Sequence, residues 1–320
     1  MFAASVVDNL LTAPVLAFVV ALVATHLRFD LRLPESLYPI LSTFLLLAIG
    51  LKGGRALAET SLGDIWQPIL AALALGVVTP LVAFAAFRAL GGIGRIDAAA
   101  IAAHYGSVSA VTFTVVLATL DSRGMSYEGH VAGLLAILEV IGIVVALALA
   151  RDPKAASSGH WGEAIREVLR GRSIAFLLAG IIVGLAAGPE RLTPTDPLFV
   201  GLFSGVLTLF LIEMGSIAAE RLRDVAAAGW RLVALAIIVP LVNGTIGAVA
   251  GNLAGLSTGG VAVLATLAAS ASYIAAPAAV RIALPEASPG LYVTASLGIT
   301  FPFNLIVGIP IYISIAEALT

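Results

Sequence analysis

The chain contains ten long blocks of apolar residues, and this pattern constrains the fold more than any other feature. A helix needs about 20 apolar residues to cross the hydrocarbon core of a bilayer. Unbroken blocks favour helices over the short alternating strands of an outer-membrane barrel. We therefore predict an all-α integral membrane protein with spans 1 to 10 at residues 10–27, 36–54, 66–90, 97–120, 127–150, 173–188, 197–219, 228–250, 258–283 and 290–319.

The composition supports a membrane protein and excludes several other classes. Of the 320 residues, 60% are hydrophobic and 11% are charged, and the mean hydropathy is +1.07. A soluble domain has about 25% charged residues, so a soluble enzyme or a disordered chain is excluded. The net charge of −2 also excludes a nucleic-acid-binding protein. Cysteine, a Walker lysine motif and hydrolase signatures are all absent, so we expect neither an enzyme nor a thiolate metal site.

Lysine and arginine are unevenly distributed among the connections between spans. The connections that follow odd-numbered spans hold 13 of these residues, and those that follow even-numbered spans hold 4. Because positive residues concentrate on the cytoplasmic side, we expect a multi-pass protein of the plasma (inner) membrane with both termini outside. The polar connection 151–172 then lies in the cytoplasm, and its residues 160–170 predict a short amphipathic helix on the membrane surface.

The two halves of the chain resemble each other. The polar connection 151–172 separates residues 1–150 from residues 173–320, with five spans in each half. Because five is an odd number, the second copy enters the membrane inverted, as in many secondary transporters. Chance similarity of two apolar segments is the alternative. Four landmarks recur in order at offsets of 160 to 165 residues: Gly50 and Gly215, Asp64 and Asp224, Pro80 and Pro240, and Ser107-Val-Ser109 and Ser270-Ala-Ser272.

Spans 4 and 9 carry small hydroxyl residues in mid-membrane, which predicts interrupted helices. Ser107 and Ser109 follow a glycine, and Ser270 and Ser272 precede Pro277, which cannot donate a backbone hydrogen bond. If the two breaks meet, two helix N-termini and these hydroxyls would form an anion cradle, while freed carbonyls would suit sodium. The alternative is that small residues at these positions serve close helix packing.

Three ionisable residues interrupt the apolar blocks. Glu139 lies in span 5, Glu213 in span 7 and His104 in span 4. A charge at the centre of a bilayer costs at least about 2.5–3.5 kcal/mol on insertion scales, so such residues are functional candidates. Each of these residues could either take part in ion coupling or form a structural hydrogen bond between helices.

Four motifs together resemble the sodium-dependent bicarbonate transporter superfamily, including its cyanobacterial SbtA-like permeases. The resemblance covers nearly the whole chain. The motifs are Leu-Leu-Leu-Ala-Ile-Gly-Leu-Lys-Gly-Gly at 45–54, Gly-Ser-Val-Ser-Ala-Val-Thr at 106–112, Gly-Met-Ser-Tyr-Glu at 124–128 and Gly-Ile-Pro-Ile-Tyr-Ile at 308–313.

The resemblance implies a fold, a cargo and partners. It implies two inverted five-helix repeats that form a core domain and a gate domain, a homotrimer, and bicarbonate and sodium at two broken helices. It also implies a PII-like regulator on the cytoplasmic face. The superfamily's substrate-binding loops fall on Gly106, Ser107, Val108, Ser109 and Thr112, and on Ser270, Ala271 and Ser272.

Two positions depart from the cyanobacterial pattern. The second loop of those members reads Ser-Ser-Asp, where this chain has Ala271-Ser272-Tyr273, so an acid suited to a cation is absent. Tyr273 could donate its phenol to an anion or simply fill the pocket. An aspartate of the fifth span is replaced by Glu139, which keeps the charge. The connection at 151–172 is also shorter than in those members.

The sequence therefore predicts a secondary active transporter that imports a small anion, with bicarbonate as the leading candidate. Sodium would be the coupling ion, bound by Glu139, Ser109 and Ser272, and transport would follow an elevator-like alternating-access mechanism. Two alternatives remain open. One is a sodium- or proton-coupled permease for a small organic carboxylate, which the replacement by Tyr273 motivates. The other is an uncoupled channel or receptor.

Overall fold

A computed structural model describes residues 2–34, 36–150 and 161–320 of the chain. Within these residues the protein is all-helical and contains no strand, which confirms the predicted class. Fourteen helices are described: α1 (Phe2–Leu10), α2 (Ala13–His26), α3 (Leu37–Leu57), α4 (Leu62–Ala89), α5 (Arg95–Gly106), α6 (Ala110–Ser122), α7 (Val131–Ala150), α8 (Trp161–Leu169), α9 (Arg172–Leu192), α10 (Phe203–Ala228), α11 (Trp230–Leu253), α12 (Thr258–Ala269), α13 (Ala275–Ala283) and α14 (Pro289–Leu319).

The described residues contain eight helical segments that are long and apolar enough to cross a membrane. One of them, Arg95–Ser122, includes both α5 and α6. Predicted spans 1 and 9 instead correspond to the shorter apolar helices α2 and α12. The chain is therefore a multi-pass membrane protein. The other seven segments are Leu37–Leu57, Gly63–Ala89, Val131–Ala150, Arg172–Thr195, Phe203–Leu222, Trp230–Leu253 and Pro289–Leu319.

The sequence locates span boundaries to within about 2–4 residues; the starts of spans 1 and 5 fall within this margin, and the start of span 7 lies outside it. Span 1 begins later than predicted because Thr12 is extended, with ψ 138°, and proline occupies the first turn of α2. Span 5 begins at Val131, since a turn precedes it. Span 7 also begins later, because a 3₁₀ turn and a π turn lie between α9 and α10. Apolar composition predicts that a segment lies in the membrane but not where the helix begins.

The helices pack in two kinds of arrangement. The two helix pairs α3–α9 and α2–α10 pack closely along their lengths. The other membrane helices form two clusters that contact each other through α4 and α11. One cluster contains α4, α5 and α7, and the other contains α11, α12 and α14.

The α3–α9 pair is brought together by glycines spaced four residues apart on both helices. Cβ atoms added at Gly180 and Gly184 would lie 2.8 Å from the Cα of Gly50 and 2.9 Å from the Cα of Gly54. Small residues let helix backbones approach closely. In a membrane the hydrophobic effect does not drive helices together, so this close packing supplies much of their attraction. Gly50 and Gly54 of the 45–54 motif therefore serve this helix contact, while Gly53 faces Gly129 and Ala132.

Helix α8 is present where a short amphipathic helix was predicted. Residues 160–170 predict an amphipathic helix on the membrane surface, and a helix is present at Trp161–Leu169. Its apolar residues Ala164 and Val168 are buried, and the helix packs on α13. Ile165 is half-buried and Leu169 is exposed, so protein covers part of the apolar face. The remainder of the predicted linker, residues 151–160, lies outside the described residues.

We expect Gly54→Ala to destabilise the protein by about 1–3 kcal/mol, because overpacking of a tight contact is costly. The added Cβ would overlap the carbonyl oxygen of Ile181. Gly205→Ala is the matched control, since nothing lies within 4 Å of a Cβ at that position in α10. Thermal unfolding in detergent measures both. Equal melting temperatures for the two variants would contradict the packing argument.

Candidate functional site

The first helix interruption lies between α5 and α6. The backbone leaves helical geometry at Ser107, with φ −90° and ψ 157°, and Ser109 is extended as well. The Ser109 hydroxyl then caps α6 by accepting a hydrogen bond of 3.1 Å from the Thr112 backbone nitrogen. Serine favours such capping positions because its side chain replaces the missing helical partner. The break predicted in span 4 is therefore present.

The second interruption lies between α12 and α13. Ser270 is extended, with φ −82° and ψ 165°, and helical structure resumes at Ala275. The Ser272 hydroxyl accepts a 3.4 Å hydrogen bond from the Ala276 backbone nitrogen. The break predicted in span 9 is present too, and it begins at the first serine of the pattern.

The two interruptions contact each other directly. The backbone nitrogen of Ser109 donates to the hydroxyl of Ser270 at 2.8 Å. In the other direction, the backbone nitrogen of Ser272 donates to the carbonyl oxygen of His104 at 2.7 Å. Each break therefore satisfies a peptide group of the other, which is the condition for non-helical backbone at membrane depth.

Four helix ends meet at this crossing. Helices α5 and α12 reach it with their C-termini, and α6 and α13 start from it with their N-termini. Free amide groups at an N-terminus carry partial positive charge and attract anions, while carbonyls at a C-terminus attract cations. The crossing can thus bind ions of both signs without an arginine or lysine.

A small cavity lies beside the two N-termini. Its volume is about 10 Å³, which leaves room for about one water molecule. Five of the predicted site residues line it together with Ser173 of α9: Val108, Ser109, Glu139, Ser272 and Tyr273. The three predicted cation ligands, from three different helical segments, therefore lie around the same cavity.

Glu139 is 2% exposed and has no ion-pair partner among the described residues. It reaches the crossing because α7 packs closely on the first break. A Cβ at Gly142, one helical turn further along α7, would overlap the carbonyl oxygen of Gly106. Glycine at this position therefore brings the carboxyl group beside the serine hydroxyls.

The other predicted residues support the crossing from behind the cavity. Gly106 packs against Pro80, and Ser270 bridges the two breaks. Ala271 is buried. The hydroxyls of Ser107 and Thr112 are buried and have no hydrogen-bond partner in the described part of the chain. Neither residue lines the cavity, and a buried hydroxyl without a partner marks a place where a water molecule can bind.

Tyr273 lies in the cavity wall. Its ring packs edge-on against Phe301, with the ring centroids 5.1 Å apart. Its hydroxyl faces Ser109 without completing a hydrogen bond. The phenol is therefore placed to meet a ligand, and the ring also fills space.

Glu213 and His104 lie apart from the cavity. Glu213 forms an ion pair of 3.3 Å with Arg32 and accepts a 2.8 Å hydrogen bond from the backbone nitrogen of Leu33. His104 stacks on Tyr292, and its Nδ1 lies 2.8 Å from the carbonyl oxygen of Ala100. The contacts of Glu213 are those of a structural residue. The Nε2 of His104 is buried without a partner among the described residues, and the backbone carbonyl of His104 bonds to the second break.

Sequence analysis missed several polar residues around the site. Ser173 lines the cavity from the start of α9. Asn304 and Thr300 of α14 are fully buried, and they donate to the carbonyl oxygens of Ala269 and Ala236. An asparagine inside an apolar block is as unusual as a glutamate there, so Asn304 was recognisable from the sequence. Ser173 carried no such signal.

Comparison with known proteins identifies a family. The model of the Na⁺-dependent bicarbonate transporter superfamily matches residues 13–317, nearly the whole chain. No curated protein matches the chain. The described residues contain no group of three or more histidine, cysteine, aspartate or glutamate side chains arranged to hold a metal ion. The oxygen atoms around the cavity belong mainly to hydroxyl and peptide groups.

We expect Thr112→Val to leave the free energy of unfolding nearly unchanged. The lost hydroxyl has no partner, and replacing an unsatisfied group by an apolar isostere is close to neutral. Thr119→Val on the same helix is the control, because its hydroxyl donates to the Val115 carbonyl oxygen at 2.8 Å. We expect the control to lose about 1 kcal/mol. Thermal unfolding measures both variants. Equal losses of stability would contradict the absence of a hydrogen-bond partner for the Thr112 hydroxyl.

Proposed function

The chain belongs to the Na⁺-dependent bicarbonate transporter superfamily, and from that premise we propose that it imports bicarbonate together with sodium. The family is a transporter family and not an enzyme family. The observation that carries the proposal is the cavity at the helix crossing. Two helix N-termini, three serines and one glutamate surround the same small space.

In the proposed mechanism the anion binds at the N-termini of α6 and α13. Backbone amides and the partial positive charge of the helix ends stabilise a single negative charge. The hydroxyl of Tyr273, which lines the cavity and has no hydrogen-bond partner among the described residues, can donate to the anion's oxygen atoms. Bicarbonate offers such oxygens, and because it is larger than the single water molecule for which this structure leaves room, the cavity must widen when the anion binds.

Sodium binds in this proposal between Glu139 and the hydroxyls of Ser109 and Ser272, which line the same cavity. Hard cations prefer oxygen ligands. A sodium ion there would neutralise the carboxylate that otherwise repels the anion. Each ion thereby raises the affinity for the other, which is the thermodynamic basis of coupling.

We further propose ten spans in two inverted repeats, residues 1–150 and 173–320, joined by 151–172. The helix contacts support it. In the two repeats α2 corresponds to α9, and α3 corresponds to α10. The pair α2–α10 therefore corresponds to the pair α9–α3, and both pairs are closely packed. The contacts of α4 with α5 and α7 likewise correspond to those of α11 with α12 and α14. This agreement between helix pairs supports the repeat independently of sequence similarity.

Alternating access would divide the molecule into two bodies. The gate domain contains α2, α3, α9 and α10, and the core domain contains α4 to α7 and α11 to α14. Lys52 of α3 pairs with Asp121 of α6 at 3.0 Å and also donates to Tyr127. Burial raises the pKa of Tyr127, so the phenol stays protonated. This exposed contact is weak enough to break in each transport cycle.

Other parts of the proposal rest on sequence alone. The distribution of lysine and arginine supports both termini outside the plasma membrane. The resemblance to cyanobacterial members supports a homotrimer and a PII-like regulator at the cytoplasmic face.

The decisive experiment is uptake of radiolabelled bicarbonate by proteoliposomes. We expect uptake to saturate and to require an inward sodium gradient. Empty liposomes and a gradient of potassium in place of sodium are the controls. Uptake that does not depend on any cation would contradict coupling and favour a channel.

A second candidate is a proton- or sodium-coupled permease for a small organic carboxylate, and Tyr273 in the cavity wall favours it. Its ring offers an apolar surface, and its hydroxyl a donor, to a carboxylate. Competition separates the two candidates. If formate or acetate inhibits more strongly than an equal concentration of unlabelled bicarbonate, the organic carboxylate is the better cargo.

We expect Glu139→Gln to raise the apparent KM for sodium at least about tenfold, because Glu139 is the only acidic or basic residue that lines the cavity among the described residues. Glu213→Gln is the matched control, since Glu213 pairs with Arg32 away from the cavity. The control should change thermal stability but not the KM for sodium. Sodium titration of bicarbonate uptake measures both variants. An unchanged KM in Glu139→Gln would remove Glu139 from the cation site.

A further inference from the structure

A buried asparagine is bonded to the end of one of the interrupted helices. Asn304 lies in α14 and has no exposed surface. Its side-chain nitrogen donates to the carbonyl oxygen of Ala269 at 2.8 Å. Ala269 is the last residue of α12, and Ser270 begins the break. The amide therefore satisfies a carbonyl that the interruption would otherwise leave without a partner.

The orientation of this amide is itself fixed. The hydroxyl of Tyr312 donates to the side-chain oxygen of Asn304 at 3.0 Å, so the amide nitrogen must point towards Ala269. Two glycines leave room for the pair. A Cβ at Gly308 would lie 2.5 Å from the side-chain oxygen of Asn304, and one at Gly244 would overlap the Tyr312 ring. The 308–313 motif, which the transport proposal does not use, thus supports Asn304.

The residue that Asn304 binds is joined to the crossing through the next residue of the chain. Ser270 follows Ala269, and its hydroxyl donates to the Leu267 carbonyl oxygen at 2.8 Å while it accepts from the Ser109 backbone nitrogen. The position of the α12 terminus therefore determines where the two breaks touch. Asn304 itself does not line the cavity, so it acts through the backbone and not by contact with a ligand.

The position of Asn304 in the chain adds an independent observation. It lies 165 residues after Glu139, the same offset that separates Gly50 from Gly215. This comparison rests on the inverted repeat of the proposed function. Glu139 faces the cavity from α7, and its counterpart supports the opposite break from α14.

We infer that Asn304 is a positioning residue of the transport site. It holds the C-terminus of α12 so that Ser270 meets Ser109 and the N-termini of α6 and α13 face the same cavity. Tyr312 keeps the Asn304 amide in the required orientation.

The test compares Asn304→Leu with Ser296→Ala. Ser296 is also buried in α14, but its hydroxyl bonds only to carbonyls of its own helix. Hydrogen–deuterium exchange of residues 267–276 should become about tenfold faster in Asn304→Leu and stay unchanged in the control. The apparent KM for bicarbonate should rise about five- to tenfold in Asn304→Leu at an unchanged level of folded protein.

Tyr312→Phe keeps the test informative if Asn304→Leu does not fold. It leaves Asn304 in place but removes the bond that orients the amide, so both effects should be smaller and in the same direction. Unchanged exchange and an unchanged KM in the folded variants would overturn the inference. If the unmodified protein transports no bicarbonate, the proposed function fails, and the exchange measurement alone then decides the role of Asn304.

Discussion

Peptide groups that leave a helix within a membrane have no water to bond with, and this constraint governs the centre of the molecule. The breaks at Ser107 and Ser270 satisfy it by bonding to each other, through a serine hydroxyl in one direction and the His104 carbonyl in the other. Neither interruption could persist alone at this depth. The two halves of the chain are therefore needed together to form the cavity.

The sequence predicted the elements of the site better than the contacts between them. The two breaks and Glu139 were recognisable because serine pairs, proline and a carboxylate are costly inside an apolar block. The partners of these groups were not, since Ser109 and Ser270 are 161 residues apart and hydrophobic patterns carry no information about such pairs. For the same reason Glu213 stayed an open candidate until its partner Arg32 was located. Helix ends were misplaced where a turn preceded an apolar stretch.

Proline and hydroxyl residues act together in the core. Pro240 has no amide hydrogen, so the carbonyl of Ala236 one turn earlier loses its helical partner. The hydroxyl of Thr300 donates to this carbonyl at 2.6 Å, and Tyr105 lies 2.6 Å from the same hydroxyl. These hydroxyls thereby join α5, α11 and α14 at the turn where α11 lacks a backbone hydrogen bond. The bonds of Asn304, one turn further along α14, are separate from these and connect α14 to the end of α12.

The small size of the cavity has a consequence for which ions it can hold. With room for about one water molecule, it cannot admit an ion with its hydration shell. The cost of dehydration rises steeply with charge, so carbonate would lose far more on binding than bicarbonate does. Each helix N-terminus carries a partial charge of about +0.5, so two of them together balance one negative charge but not two. Discrimination between these protonation states would then follow from solvation, without a residue that recognises the proton.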